Sequence, residues 1–183
     1  LIQAYTKDAE KFAEGKKEYI AGTLEMRKGE DIYPDANFTM RLTYGSVQDC
    51  KPANAVTYDY ITTLDGVMEK YKPGDWEFDV PADLIKLWEN KDYGRYADEN
   101  GDLVVNFITT NDITGGNSGS PVIDAEGNLI GLAFDGNWEA MSGDLSFENE
   151  VQRTICMDAR YLVFIIDKMA NAQNLMQELK IIE

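Results

Sequence analysis

The stretch that decides the fold is Gly115-Gly116-Asn117-Ser118-Gly119-Ser120-Pro121. It lies between two apolar runs with the residue types of β-strands, 103–109 before it and 121–123 after it. Glycine adopts positive φ without steric cost and carries no Cβ, so this segment can form a tight loop. In such a loop the N–H groups of Gly116 and Ser118 would converge beside Ser118 Oγ, where an oxyanion could be stabilised.

The residues that follow the loop predict a β-hairpin. Two apolar runs, 121–123 and 129–134, are joined by Asp124-Ala125-Glu126-Gly127-Asn128, a loop that contains glycine. A nucleophile elbow of the strand-turn-helix type is therefore excluded, because a strand rather than a helix follows the serine.

The N-terminal segment, residues 1–28, has the apolar spacing of one amphipathic helix. No capping residue precedes it, so we expect the chain to be part of a longer protein. Residues 38–44 then alternate between apolar and polar side chains, which predicts a half-buried strand with Met40, Leu42 and Tyr44 on its apolar face.

Further along the chain, short helices are predicted at 62–71 and 81–90, with a turn at 72–75 between them. The apolar spacing of residues 157–180 predicts a C-terminal helix. The expected fold is mainly antiparallel β with helices added to it.

The composition of the chain limits the ligands that it can bind and the catalytic groups that it can contain. The chain has 183 residues, a formal net charge of −16 and no histidine. The charge disfavours binding to nucleic acid or anionic lipid. Without histidine the chain cannot hold a complete Ser-His-Asp triad or a Cys-His dyad. Its own general base would have to be a carboxylate or a lysine, unless the base lies outside these residues. No apolar run is long enough to span a membrane.

The two cysteines, Cys50 and Cys156, form no metal-binding spacing. They could form one disulfide or remain two buried thiols, and the sequence does not choose between these. No calcium-binding loop of the Asp-x-Asp-x-Asp-Gly type is present, so we expect neither a metal nor another cofactor.

The serine segment resembles the active-serine segment of chymotrypsin-fold serine proteases, where Gly-Asp-Ser-Gly-Gly-Pro is usual. Asn117 and Ser120 stand here where that pattern has Asp and the second Gly. In that fold the triad His and Asp come from the first barrel and the Ser from the second. The resemblance therefore implies a chain that carries the second barrel, so that Ser118 would be present without its base.

Several longer strings are similar to the bacterial serine dipeptidyl-peptidases of the 7 and 11 types. They are Tyr33-Pro34-Asp35-Ala36-Asn37, Arg41-Leu42-Thr43-Tyr44-Gly45, Thr62-Thr63-Leu64, Thr110-Asn111-Asp112-Ile113-Thr114 leading into the serine segment, Phe134-Asp135-Gly136-Asn137-Trp138-Glu139 and Asp158-Ala159-Arg160-Tyr161. In this family a helical domain is inserted into a chymotrypsin-type double barrel. Residues 1–30 would then be the last helix of that insertion, and residues 31–183 the second barrel with a C-terminal helix.

The resemblance implies removal of dipeptides from the free N-terminus of peptides, by a homodimeric bacterial enzyme of the periplasm or cell surface. By residue, Ser118 matches the nucleophile, and Gly116 and Ser118 match the oxyanion donors. Asp135 matches an acid that helps to hold the α-ammonium group of the substrate. Because this carboxylate would lie at a set distance from Ser118, it would determine which peptide bond, counted from the substrate N-terminus, reaches the nucleophile.

The residue at position 136 is the basis for an expectation about which substrate residue is preferred before the scissile bond. Members that prefer acidic residues before the scissile bond have an arginine there, whereas this chain has Gly136. The glycine brings no cation and is expected to leave open space. Large hydrophobic or aromatic residues are therefore expected at the cleaved position, as in the 7-type branch. Asp112, where trypsin-like enzymes place the acid that binds Lys or Arg, is interpreted as structural.

Two alternatives stay open at this point. One is a glutamyl-endopeptidase-like serine protease, which shares Gly-Asn-Ser-Gly-Ser-Pro but usually reads Glu with a histidine that this chain lacks. The other is a catalytically inactive, protease-derived binding module that uses its acidic surface or the cleft near Asp135.

Overall fold

The computed structural model describes residues 2–30, 39–143 and 146–182. The chain forms two compact units, residues 1–37 and 38–183. Within the first unit, helix α1 spans Ile2–Met26, which confirms the predicted N-terminal helix. Several of its large apolar side chains are exposed, among them Phe12, Tyr19 and Met26.

The second unit contains a two-stranded and a five-stranded sheet, and every strand pair is antiparallel. The small sheet is formed by β1 (Cys50–Ala53) and β2 (Val56–Tyr58). The large sheet has the strand order β3-β4-β7-β6-β5. Its strands are β3 (Ile61–Thr63), β4 (Val104–Thr109), β5 (Pro121–Ile123), β6 (Leu129–Gly136) and β7 (Thr154–Asp158).

The hairpin after the serine segment is formed as predicted. Strands β5 and β6 pair antiparallel, with Val122 opposite Gly131. In the connecting loop Asp124 Oδ1 accepts hydrogen bonds from the backbone N–H groups of Asn128, at 2.8 Å, and Glu126, at 3.0 Å. These donors, the Asn128 N–H first among them, hold the pKa of Asp124 below its ordinary value.

The strand predicted for residues 38–44 is wrong for the described part of that segment. Residues 39–46 pair with no strand, and the side chains of Met40, Leu42 and Tyr44 are exposed rather than half-buried. Pairing begins only where Val47 forms a bridge with Thr109. An alternating pattern predicts a strand only when a neighbouring strand is present to pair with it. Phe38 lies outside the described residues.

The predicted helices are shorter in the structure. Helix α2 spans Leu64–Glu69 because β3 takes the residues before it, and α3 spans Ala82–Glu89. The predicted turn at 72–75 is present, with Gly74 at φ +75°. No helix in the described part of the chain is long and apolar enough to cross a membrane.

The C-terminal helix predicted for residues 157–180 is wrong at both ends. Met157 and Asp158 belong to β7, whose strand pattern was missed. Helix α4 (Ala159–Phe164) continues as a π-helical turn to Met169, and after a break α5 spans only Gln173–Met176. Phe164 is fully buried and packs edge-on against two tyrosines, Tyr93 and Tyr96. This aromatic cluster fixes α4 against the main core.

Candidate active site

The serine loop, residues 114–120, connects the region after β4 to the start of β5. Gly116 and Gly119 have φ of +101° and +80°, so the loop uses glycine where its backbone is left-handed. Asn117 closes the loop on itself: its N–H donates to Thr114 O at 3.1 Å, and its Oδ1 accepts from Thr114 N at 3.1 Å. A tight loop of the predicted kind is therefore present.

The backbone N–H groups of the serine loop fall into two sets. Those of Asn117 and Gly119 are engaged, donating to Thr114 O at 3.1 Å and to Ala133 O at 2.7 Å. Those of Gly115, Gly116 and Ser118 donate to no acceptor within the described residues. The two groups that the sequence analysis singled out, Gly116 N–H and Ser118 N–H, are thus among the three that remain available to a ligand.

Ser118 is exposed, and its Oγ donates a hydrogen bond to Phe134 O at 3.2 Å. The acceptor is positioned by an irregularity in β6: Ala133 lies opposite Cys156 and Asp135 opposite Ile155, so Phe134 is an extra residue in the strand. A bulge of this kind redirects the backbone locally. Here it brings the Phe134 carbonyl to the serine.

A second side chain reaches the serine loop from a distant segment. Arg41 Nη2 donates to Asn117 Oδ1, which is the same oxygen that accepts from Thr114 N. Arg41 is partly buried, whereas its neighbours Met40 and Leu42 are exposed. A hydrogen bond therefore links the segment before β1 to Asn117, the residue next to Ser118. Sequence reasoning did not find this contact, since nothing local relates residues so far apart in the chain.

A cavity of about 260 Å³ opens beside Ser118. The lining comes from two parts of the chain: the first is Asn111–Gly115 with Ser118, and the second, here called the opposing wall, is Phe134–Asn137, Ala140, Met141, Gly143, Phe147 and Gln152–Thr154. The lining includes the predicted residues Ser118, Asp135 and Gly136, which the fold therefore brings to one cavity. Asp112, interpreted from the sequence as structural, also lies in this lining.

The charged residues that line the cavity are Asp112, Asp135 and Arg153. Asp135 is exposed, and its Oδ1 accepts from the N–H of Gly136 at 2.8 Å. Arg153 is buried, and its guanidinium donates to the backbone carbonyls of Asp49, Asn149, Glu150 and Gln152. Because its donors are used in this way, the arginine is not presented to a ligand, and the other two charged residues of the lining are acidic.

Asn137 holds the end of β6 against the start of β7. Its Oδ1 accepts from Arg153 N at 2.8 Å, and its Nδ2 donates to Val151 O at 2.8 Å and to Glu139 Oε2 at 2.8 Å. The turn after Gly136 is consequently fixed by side-chain as well as backbone hydrogen bonds.

The expectation of open space at Gly136 is wrong. A Cβ built on this residue would lie 2.8 Å from the Cβ of Ala140, closer than real Cβ atoms approach each other. Ala140 belongs to a 3₁₀ turn, Trp138–Ser142, that folds back on the end of β6. The sequence identified the glycine, but only the fold shows which neighbour requires it.

Two buried oxygens in the lining lack a hydrogen-bond partner in the described part of the chain, Thr114 Oγ1 and Gln152 Oε1. Among the same residues, no group of three His, Cys, Asp or Glu side chains could hold a metal ion. The cysteines are two free, buried thiols. Burial raises the pKa of Cys50 above its usual value and that of Cys156 to about 11.

The sequence of the chain is similar to those of known peptidases. Residues 2–181 match the sequence model of the family Peptidase S46. Dipeptidyl-peptidase 7 of Phocaeicola vulgatus is 57% identical over 167 residues, which are 91% of this chain and 23% of that protein. The Asp/Glu-specific dipeptidyl-peptidase of Capnocytophaga gingivalis is 53% identical over 169 residues, which are 92% of this chain and 24% of that protein.

The fold is shared with solved relatives. The crystal structure of Porphyromonas endodontalis DPP11 in complex with the dipeptide Arg-Asp superposes with a TM-score of 0.81 at 49% identity. The match covers 88% of this chain and 23% of that chain. The chain thus spans about a quarter of the length of the relatives that it matches.

Proposed function

The chain belongs to the peptidase S46 family, and we propose that the full-length protein removes dipeptides from the N-terminus of peptides through an acyl-enzyme on Ser118. The observation that carries this proposal is the serine loop, where an exposed Ser118 lies beside two backbone N–H groups without an acceptor in the described residues. Both groups belong to a loop that glycines and Asn117 fix in shape, as electrostatic preorganisation requires.

In the proposed reaction Ser118 Oγ attacks the carbonyl carbon of the second residue, and its proton passes to a general base. The N–H groups of Gly116 and Ser118 stabilise the resulting oxyanion. The C–N bond then breaks, the leaving amine takes the proton, and the dipeptide remains as an ester on Ser118. Water hydrolyses that ester and regenerates the hydroxyl.

A histidine acting as the general base would have to come from outside this chain, because these 183 residues contain no histidine. We therefore assign the described sheets to the second barrel of a chymotrypsin-like double barrel, and residues 1–30 to the end of an inserted helical domain. Two features support this assignment: the antiparallel strand pairing, and a nucleophile loop that leads into a hairpin. The isolated chain is expected to be inactive.

Asp135 is proposed to bind the α-ammonium group of the substrate. Its carboxylate is exposed, and it lines the same cavity as Ser118. Because an ion pair to the N-terminus fixes how far the chain extends, it would place the second peptide bond at the nucleophile. Acetylation of the substrate N-terminus removes the positive charge and should abolish this binding mode.

A preference for hydrophobic residues before the scissile bond is also proposed, and the lining of the cavity supports it. Gly136 contributes no cation, and the Arg153 guanidinium donates to backbone carbonyls. The exposed carboxylate of Asp135 would repel an acidic side chain. Relatives carry both kinds of name, Dipeptidyl-peptidase 7 and Asp/Glu-specific dipeptidyl-peptidase, so this preference has to be measured.

The site of action is proposed to be the periplasm or cell surface of a bacterium, with a homodimer as the working form. The acidic composition, with a net charge of −16, suits a solvated surface. Peptides with a free N-terminus are the proposed partners, with neither a nucleic acid nor a cofactor involved.

The decisive experiment uses the full-length protein and fluorogenic dipeptidyl substrates with Leu, Phe, Glu or Asp as the second residue. We expect the highest kcat/KM with Leu or Phe, and loss of turnover when the N-terminus is acetylated. Asp135→Asn should raise KM at least about tenfold, with Glu126→Gln, in the remote hairpin loop, as the matched control. Cleavage of acetylated substrates at full rate would favour an endopeptidase, and no turnover of any substrate would favour an inactive binding module.

A further inference from the structure

Gly136 is a glycine because of its neighbour and not because of its backbone conformation. Its φ lies outside the left-handed region, in contrast to Gly116 and Gly119 in the serine loop. An added Cβ would nevertheless lie 2.8 Å from the Cβ of Ala140. Among the described residues, its two chain neighbours aside, the other atom within 4 Å of that position is Arg153 O, at 3.8 Å, which is an ordinary contact. In the described part of the chain it is therefore Ala140 that excludes a side chain at position 136.

Ala140 cannot turn aside to relieve such a contact. Its methyl group is attached directly to the backbone and has no alternative rotamer. The 3₁₀ turn that carries it is held by Ala140 N to Asn137 O at 2.9 Å and by Gly143 N to Ala140 O at 2.9 Å. Asn137 is in turn bound to Arg153 N. Displacement of Ala140 would thus disturb the hydrogen bonds that join β6 to β7.

The C-terminal end of the same turn is also closely packed. A Cβ added at Gly143 would lie 3.0 Å from Ala140 O and 3.4 Å from Gln152 Oε1. Gln152 is itself buried, so this end of the turn has little room to shift. Glycine therefore occupies both positions, 136 and 143, at which an added Cβ would meet Ala140.

From this packing we propose that Ala140 is a second specificity-determining residue, whose methyl group restricts position 136 to glycine. A cationic side chain could then enter the cavity from position 136 only if residue 140 were also reduced to glycine. The inference rests on the proposed function, because it assumes that the cavity receives the residue before the scissile bond. It predicts that charge preference is set by the pair 136 and 140 together.

The test compares four full-length proteins: the wild type, Gly136→Arg, Ala140→Gly, and the double variant. Gly136→Arg alone should lower kcat/KM at least about tenfold with both Leu and Glu as the second residue, because the new side chain displaces the turn. Ala140→Gly is the single-variant reference that the double-mutant comparison needs, so that the effect of arginine at position 136 is measured with and without the methyl group at position 140. The double variant should exceed Gly136→Arg at least about tenfold with Glu.

A readout independent of activity uses a smaller change. Gly136→Ala should lower the denaturant midpoint of unfolding, and adding Ala140→Gly should restore it. Gly66→Ala is the matched control, since a Cβ there meets nothing within 4 Å and its φ is not left-handed.

The results separate the two hypotheses. An acidic preference in Gly136→Arg as strong as that of the double variant would overturn the inference, as would a Gly136→Ala protein with the wild-type midpoint. A wild-type protein that releases no dipeptides would instead overturn the proposed function. The stability coupling between positions 136 and 140 would still be measurable in that case.

Discussion

The two sides of the cavity are built in opposite ways. In the serine loop, the N–H groups of Gly116 and Ser118 have no acceptor among the described residues, and Ser118 is exposed. In the opposing wall, the buried Arg153 uses its guanidinium on four backbone carbonyls. Asn137 likewise joins β6 to β7 with both ends of its amide. The serine loop thus keeps backbone donors available for a ligand, whereas Arg153 and Asn137 use their polar groups to hold the opposing wall in shape.

This contrast indicates a division of tasks. Groups that act on a reacting atom must be free before the ligand arrives, so they contribute little to folding. Groups that define which side chain fits must not move, so they are bonded within the protein. Removal of the nucleophile in the serine loop should therefore change activity with little effect on stability, whereas substitution of Arg153 or Asn137 in the opposing wall should chiefly lower stability.

The largest effect is expected for Ser118→Ala in the full-length protein. Loss of the nucleophile should lower kcat at least about a thousandfold, while the denaturant midpoint stays within error of the wild type. The hydroxyl makes one exposed hydrogen bond, to Phe134 O, so its removal leaves no buried group unpaired. Retained turnover, measured with dipeptidyl substrates, would show that another residue is the nucleophile.

Next in size is Arg153→Met, which should affect folding. The change leaves several backbone carbonyls without their donor and should destabilise the protein by about 2–4 kcal/mol. Equilibrium unfolding in urea measures the loss. Arg27→Met is the matched control, because Arg27 is exposed and its guanidinium pairs with Glu30, three residues away. Equal stability of the two variants would contradict the structural role of the opposing wall.

A smaller effect is expected for Arg41→Met. This variant tests whether the conformation of the serine loop depends on the hydrogen bond from Arg41, which lies outside the loop. Loss of the hydrogen bond to Asn117 should lower kcat about tenfold and change KM less, because the oxyanion donors lose their fixed positions. Arg41→Lys should recover part of the loss.

The rate at which a diaryl phosphonate labels Ser118 separates positioning from a purely structural role. Arg41→Met should react more slowly than Arg27→Met at equal stability. Labelling at the wild-type rate would mean that the serine loop holds its conformation without Arg41.

The smallest effect concerns pH and Cys156, in the strand that supports the opposing wall. Burial raises the pKa of this thiol to about 11 from the ordinary value of 9.0. The unfolded thiol therefore ionises first, and stability from this group is complete below about pH 9 and is lost as pH rises towards 11. Cys156→Ala should show a flatter decline of the urea midpoint over that range. Parallel curves for both proteins would contradict the raised pKa.

The sequence was most informative where local chemistry decides the structure. The glycines of the serine loop predict its left-handed positions, and the alternation of apolar runs with a Gly-bearing loop predicts the β5–β6 hairpin. Helix α1 also follows its apolar spacing closely. Family membership could be inferred from the strings that flank the serine, and the match over residues 2–181 confirms it.

Prediction failed where the outcome depends on a partner strand or a distant residue. Residues 39–46 alternate as a strand does but find no strand to pair with in the described chain. Strand β7 was missed because its residues continue without a break into the helical spacing of α4. The extra residue at Phe134, which aims a carbonyl at Ser118, appears only in the register of β6 against β7.

The sequence by itself determined that this chain carries a serine in a glycine-rich loop, that it holds no histidine, and that position 136 has no side chain. These are properties of residue type, and they need no neighbours to be read. Tertiary structure alone decided which N–H groups of the serine loop have no acceptor among the described residues, that the Arg153 guanidinium is bonded to backbone carbonyls, and that Ala140 fills the space beside Gly136. Such features depend on contacts between residues far apart in the chain, and those contacts exist only once the strands have paired.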